Sequence, residues 1–157
     1  MDSRVKDVGE IKTGFLFDIV VDLETPVDVG DGPFGRRILF GAKGGTFEGP
    51  KLRGEVLPGG GDWTLFRPDG TMHLDVRLIL RTDDGAPIYM TYSGRWVRPP
   101  EVRTGKPEEV DPSRYYFRTT VFFETGAQQY AWLNDVVCVA SGYLVDGGVA
   151  YKVFEVL

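Results

Sequence analysis

The chain has one cysteine, Cys138, and one histidine, His73, in 157 residues. A single cysteine closes no intramolecular disulfide and builds no cysteine-based zinc cluster. One imidazole cannot supply the histidine cluster of a catalytic zinc site. A Ser-His-Asp triad would have to use His73, and no G-x-S-x-G stretch is there to present the serine. No apolar run approaches the roughly 18 residues of a membrane span, and "MDSRVKDVGEIKTGF" lacks the apolar core of a secretory leader. The reading is a cytoplasmic protein without a membrane partner. Positive charge is also short, with 18 Lys and Arg against 23 Asp and Glu and a net charge of −5. "RTDDG" and "GRWVRPPEVRTGKPEE" mix signs instead of pooling cations, which argues against a nucleic-acid partner. "VLPGGG", "GDGPFG" and "GAKGG" are not phosphate loops, because no Gly-Lys-Ser/Thr and no helix follows. "TDDG" and "VDVGDG" lack the ligand spacing of a calcium loop. With no nucleotide, flavin or metal motif, the expectation is no cofactor and no metal.

What is present is glycine, 21 residues of it, with 13% aromatics. The glycines stand as "GG", "DG" and "GP" punctuation between runs of period-two alternation, which is the pattern of short strands and tight turns. "FLFDIVVDLETPVDVG" puts Phe17, Ile19, Val21 and Leu23 on one strand face. "GDWTLFRPDGTMHLDVRLILRTDDGAPIYMTYSGRWV" reads as a meander turning at "RPDG" and "TDDG". "RYYFRTTVFFETG", "LNDVVCVASGYLVDGG" and "VAYKVFEVL" add three strands. "GAQQYAWLND" has room for a helical turn or two, and "VRPPEVRTGKPEEVDPS" is a proline-rich loop long enough to be a lid. The length fits one domain, residues 1–157, with 1–13 as an arm. Seven to ten such strands make an antiparallel sandwich or a closed barrel, and periodicity alone does not choose.

In "HLDVRLILR", Leu74, Val76, Leu78 and Leu80 share one face, while His73, Asp75, Arg77, Ile79 and Arg81 take the other. The plain reading makes the leucine face core and the charged face solvent. Other strands are apolar on both sides with a few polar groups set among aromatics, which suits strands covered on both faces by barrel closure or by a subunit contact. A mostly apolar pocket with a few convergent polar groups is the usual form of a small-molecule site. On that logic Asp62, Asp75, Arg77 and Glu124 are candidate catalytic residues. Trp63, Tyr92, Arg118, Trp132 and Asn134 are candidate substrate contacts. A carboxyl in an apolar wall has a raised pKa and can serve as general acid or base near neutrality. An arginine could hold a carboxylate or an enolate oxygen. The glycines of "LPGGGDW" let a wide turn form and let backbone approach closely, aiming Asp62 at a cavity mouth.

"GGTFEGPKLRGEVLPGGGDW", "DGTMHLDVRLILRTDDGAPIYM", "YYFRTTVFFETG" and "YAWLN" resemble a microbial family described as domain of unknown function 3237. The resemblance runs from about Phe15 to Leu157. It implies an all-β, antiparallel, calycin-like β-barrel with at most one or two short helices, and no assigned activity or catalytic residues. At Leu78 the chain departs from the pattern, since the resemblance leads one to expect a tyrosine after Arg77.

Two functions fit. One is a cofactor-independent isomerase, cyclase or lyase that moves a proton on a hydrophobic carbonyl-bearing or aromatic substrate inside the barrel. The other is a non-catalytic binding protein for a small hydrophobic ligand. Strands apolar on both faces are also compatible with a homo-oligomer.

Overall fold

The computed structural model describes all 157 residues. Alternation in the sequence becomes ten strands: β1 (Thr13–Leu23), β2 (Val27–Gly32), β3 (Gly35–Glu48), β4 (Arg53–Val56), β5 (Gly61–Phe66), β6 (Met72–Thr82), β7 (Pro87–Val97), β8 (Tyr116–Glu124), β9 (Cys138–Val145) and β10 (Gly148–Val156). All pairings are antiparallel. The order runs β1-β10-β9-β8-β7-β6, then β4 and β5 in tandem, then β3, and β3 pairs back onto β1. The result is a closed barrel of eight staves. Closure pairs each of the eight staves on both sides and creates an interior, while β2, paired only with β3, stands outside the ring as an edge strand. At the seam Gly45 lies at φ 135°, where a Cβ would sit 2.0 Å from the Val20 carbonyl oxygen. Only glycine lets β3 approach β1 there.

The stave of β4 and β5 is one strand with an interruption. Val56 pairs with Leu80 and Gly61 with Arg77, so five residues advance against three on β6. The surplus, within Leu57–Gly60, bulges but keeps its backbone bonded. Leu57 N–H donates to Ile79 O at 2.8 Å and Ala42 N–H to Gly60 O at 2.9 Å.

The two ends differ. Phe17, Phe47 and Phe123 fill one end, with ring centroids 5.3 Å and 5.8 Å from Phe17. A 3-10 segment, η1 (Gln128–Asp135), closes that end and buries Leu133 completely. The helical turns anticipated in "GAQQYAWLND" are this plug. At the other end the proline-rich segment forms a short helix, α1 (Pro100–Thr104), and two further 3-10 turns, where a plain loop was expected. The Arg98 guanidinium lies 4.6 Å over the Phe66 ring and donates to Gly70 O, and Arg103 donates to Asp69 O at 3.2 Å. The segment is thereby fastened to the β5–β6 turn. No helix is long and apolar enough to cross a membrane.

Candidate active site

The barrel interior keeps a cavity between the plugged end and the proline-rich segment, with about 550 Å³ of atom-free space counting its mouth. Its walls are apolar and aromatic, among them Phe40, Phe66, Met72, Leu78, Trp96 and Phe117. Three side chains bring polar chemistry to this wall: Asp62, Tyr92 and Tyr151.

Asp62 points inward because its strand partners are Val76 on β6 and Phe40 on β3, and directly paired residues share a sheet face. The β5–β6 ladder is broken between the Asp62/Val76 and Leu65/His73 pairs. In the gap the Asp75 N–H donates to Asp62 Oδ1 at 2.9 Å, so the side chain takes a bond that the β5 backbone leaves open. One carboxylate oxygen is thus anchored and the other has no protein partner. The residue is half-buried, with its carboxyl on the apolar lumen. Desolvation raises its pKa from 3.8 to about 7, the nearby Asp75 charge adding to the rise and the Asp75 N–H opposing it. At neutral pH it stands close to half-protonated.

Tyr92 and Tyr151 are buried, with rings edge-to-face at 4.9 Å. Burial drives both phenols well above the ordinary tyrosine value, and the negative charge of Asp62 adds to this. Both stay protonated, so each remains a hydrogen-bond donor at neutral pH. Trp96 stacks on Phe117 at 5.3 Å and its buried indole N–H has no protein partner.

Of the residues singled out from the sequence, the structure brings Asp62 and Tyr92 to the lumen and no other. Leu74, Val76, Leu78 and Leu80 are all at most 3% exposed, so period two sends Asp75 and Arg77 outward into solvent. On β8, Phe117, Thr119, Val121 and Phe123 face in, and Arg118 and Glu124 stand exposed on the outer wall. Trp63 also faces outward, at 38% exposed. Trp132 lies in the plug beneath Lys51 Nζ, 4.7 Å from its ring centroid. Asn134 braces Thr125, accepting its N–H at 2.8 Å and donating to its carbonyl at 3.0 Å. The expectation of a lumen lined by arginines is therefore corrected: no guanidinium or ammonium group lines the cavity. Tyr151 and Trp96 were missed, although "VAYKVFEVL" and "SGRWV" place each on an inward-facing apolar face. Cys138 is fully buried, with its thiol pushed up to about 11 by burial.

The pattern of the family described as "Protein of unknown function (DUF3237)" matches residues 11–156. The UPF0311 protein of Clostridium acetobutylicum is 34% identical over 157 residues, covering 97% of this chain and 98% of that one. A conserved protein of unknown function from Rhodopseudomonas palustris has a crystal structure with a TM-score of 0.90 and 33% identity, covering 96% of this chain and all of its own. A beta-barrel-like protein from Acinetobacter baumannii scores 0.85 at 31% identity, covering 96% of this chain and 99% of its own. A Penicillium herquei protein described as an enzyme shares the fold over both full lengths, with a TM-score of 0.74 at 22% identity. By the extent of these matches, the chain belongs to the DUF3237 family.

Proposed function

We propose that the protein is a cofactor-independent enzyme that moves a proton on an uncharged, hydrophobic, carbonyl-bearing substrate held in the lumen. The observation that carries this reading is a lone carboxyl with a pKa near 7 on an apolar wall shared with two protonated phenols. In its ionised form Asp62 accepts a proton from the carbon next to the carbonyl. The C–H electron pair moves into the C–C bond, and the carbonyl electrons move onto oxygen as an enolate. A phenol proton from Tyr92 or Tyr151 donates a hydrogen bond to that oxygen, which favours the charge where it develops. Protonated Asp62 then returns its proton. Delivery to another carbon gives an isomerase. Collapse of the enolate with loss of a β-leaving group gives a lyase, and its attack on an internal electrophile gives a cyclase. A general base works best with a pKa near the operating pH.

With no cation in the lumen, a carboxylate or phosphate on the substrate would be buried without a partner, so the substrate is neutral. Leu78 makes this wall still more apolar. The second reading, a binding protein for a small hydrophobic ligand, is favoured by the same wall, where every lining side chain except Asp62 is apolar or aromatic. The absence of disulfides in a chain with one buried thiol suits a cytoplasmic setting.

Exchange of α-protons separates the two. With 2-tetralone as a neutral probe in D2O, the wild-type protein is expected to speed α-deuteration above the buffer rate. Asp62→Asn is expected to lose about 100-fold or more of that acceleration, and Tyr151→Phe a comparable factor, both with retained binding. Binding without acceleration by the wild type would favour the carrier. Equal rates for the wild type and Asp62→Asn would remove Asp62 from the mechanism.

A further inference from the structure

We propose that the outer face of β8 docks a second copy of this chain, face to face, about a two-fold axis that lies in the interface and crosses β8 at right angles. Four residues of β8 carry the argument: Arg118, Thr120, Phe122 and Glu124 are all exposed and all point outward. Arg118 sits at one end without a carboxylate partner. Its guanidinium donates only to the Phe117 carbonyl at 2.9 Å and lies 5.5 Å over Tyr116. Arg95 stands directly opposite it on β7, also bonded only to its own strand, at the Gly94 carbonyl. Two like charges facing each other across a ladder are unfavourable unless an acid offsets them, and no salt bridge within the chain involves either one. Glu124, at the other end of the strand, is likewise free of any ion pair.

The unpaired charges of opposite sign stand at equal distances on either side of Val121. A two-fold centred there places Arg118 of each copy against Glu124 of the other, and the contact forms twice. The same operation places Phe122, 51% exposed, over Thr120 of the other copy. Thr120 is on the floor of an outer-wall trough that Ser93, Val139 and Ser141 also line, with Arg95 and Arg118 at its margin. A protruding aromatic therefore meets a hollow in which Ser93, Thr120, Val139 and Ser141 are small, with Tyr116 and Phe154 also lining it. Val137, 46% exposed and immediately before β9, extends the apolar centre. Charge and shape agree on one symmetry operation, and self-complementarity of this kind defines an isologous dimer.

Sedimentation equilibrium on the full chain tests the arrangement. The wild type is expected to be a dimer. Arg118→Glu and Glu124→Arg each set two like-charged pairs across the interface and are expected to weaken association at least about tenfold, about 1.4 kcal/mol. The double variant Arg118→Glu/Glu124→Arg restores both pairs and is expected to return to within about threefold of the wild type, about 0.7 kcal/mol. Phe122→Ser, which alters no charge, is expected to dissociate the dimer as well. These side chains are solvent-exposed, so circular dichroism should show each variant folded. A monomeric wild type, a trimer or larger ring, a dimer indifferent to these changes, or a folded double variant that stays monomeric would each overturn the proposal.

Discussion

Asp62 is held in place at a cost to stability. A carboxyl at about 7 in the fold, against 3.8 as the ordinary value, binds its proton more tightly folded than unfolded. Below the ordinary value both states are protonated and Asp62 contributes no pH dependence. As pH rises from there to 7, the unfolded chain releases the proton first and stability falls. Above 7 the penalty is complete, and three pKa units bound it at about 4 kcal/mol, less where water reaches the mouth of the lumen. Asn at this position keeps an oxygen for the Asp75 N–H and carries no charge. Asp62→Asn is therefore expected to match the wild type in urea unfolding near pH 4 and to exceed it by a few kcal/mol at pH 8. A stabilised variant without activity is the signature of a residue kept for function. An Asp62→Asn protein no more stable than the wild type at pH 8 would show that the carboxyl is not desolvated.

At the scale of the element, the stave formed by β4 and β5 explains the glycines of "LPGGGDW". Gly59 adopts φ 106° in open space, and a Cβ on Gly60 would sit 2.3 Å from the Arg77 carbonyl oxygen. The bulge can lie flat against β6 only without side chains, and it sets the phase in which Asp62 resumes pairing on the inward face. Gly60→Ala is expected to destabilise by about 1–3 kcal/mol, in the range of a local backbone clash. It is also expected to shift the backbone amide resonances of Asp62 and Asp75 more than those of the distant η1 plug. Uniform small shifts with unchanged stability would mean that the bulge has room to spare. Much of this level was legible in advance. Which residues of β1, β6 and β8 share a face, though not which face is inside, the Asp-Gly hairpins and the helical turns after β8 follow from period and turn chemistry. The tandem nature of β4 and β5 does not, because two extra residues in a ladder leave no mark on either strand's own pattern.

The whole molecule decides which face is inside, and there the sequence is weakest. Along β8 both faces carry phenylalanine, so Arg118 and Glu124 fit a lumen as well as a surface until closure is known. Along β6 the leucine face is unbroken, and the plain reading of Asp75 and Arg77 as solvated residues is the one the barrel adopts. Tyr151 escaped notice because on its own face of "VAYKVFEVL" the neighbours two residues away, Val149 and Val153, are apolar. Its partners, Tyr92 and the charge of Asp62, come from strands far away in sequence. The site is thus a property of closure: eight staves form the wall, the phenylalanines and the η1 plug exclude water from one end, and the proline-rich segment narrows the other. That exclusion gives an ordinary aspartate the acidity of a proton-transfer group. A carbon-13 NMR titration of the Asp62 carboxyl in the folded protein, assigned with the Asp62→Asn variant, measures it directly. The midpoint is expected near 7. A midpoint near 4, the usual value for a solvated aspartate, would show a wet lumen and leave the barrel without the acid–base group on which its proposed chemistry depends.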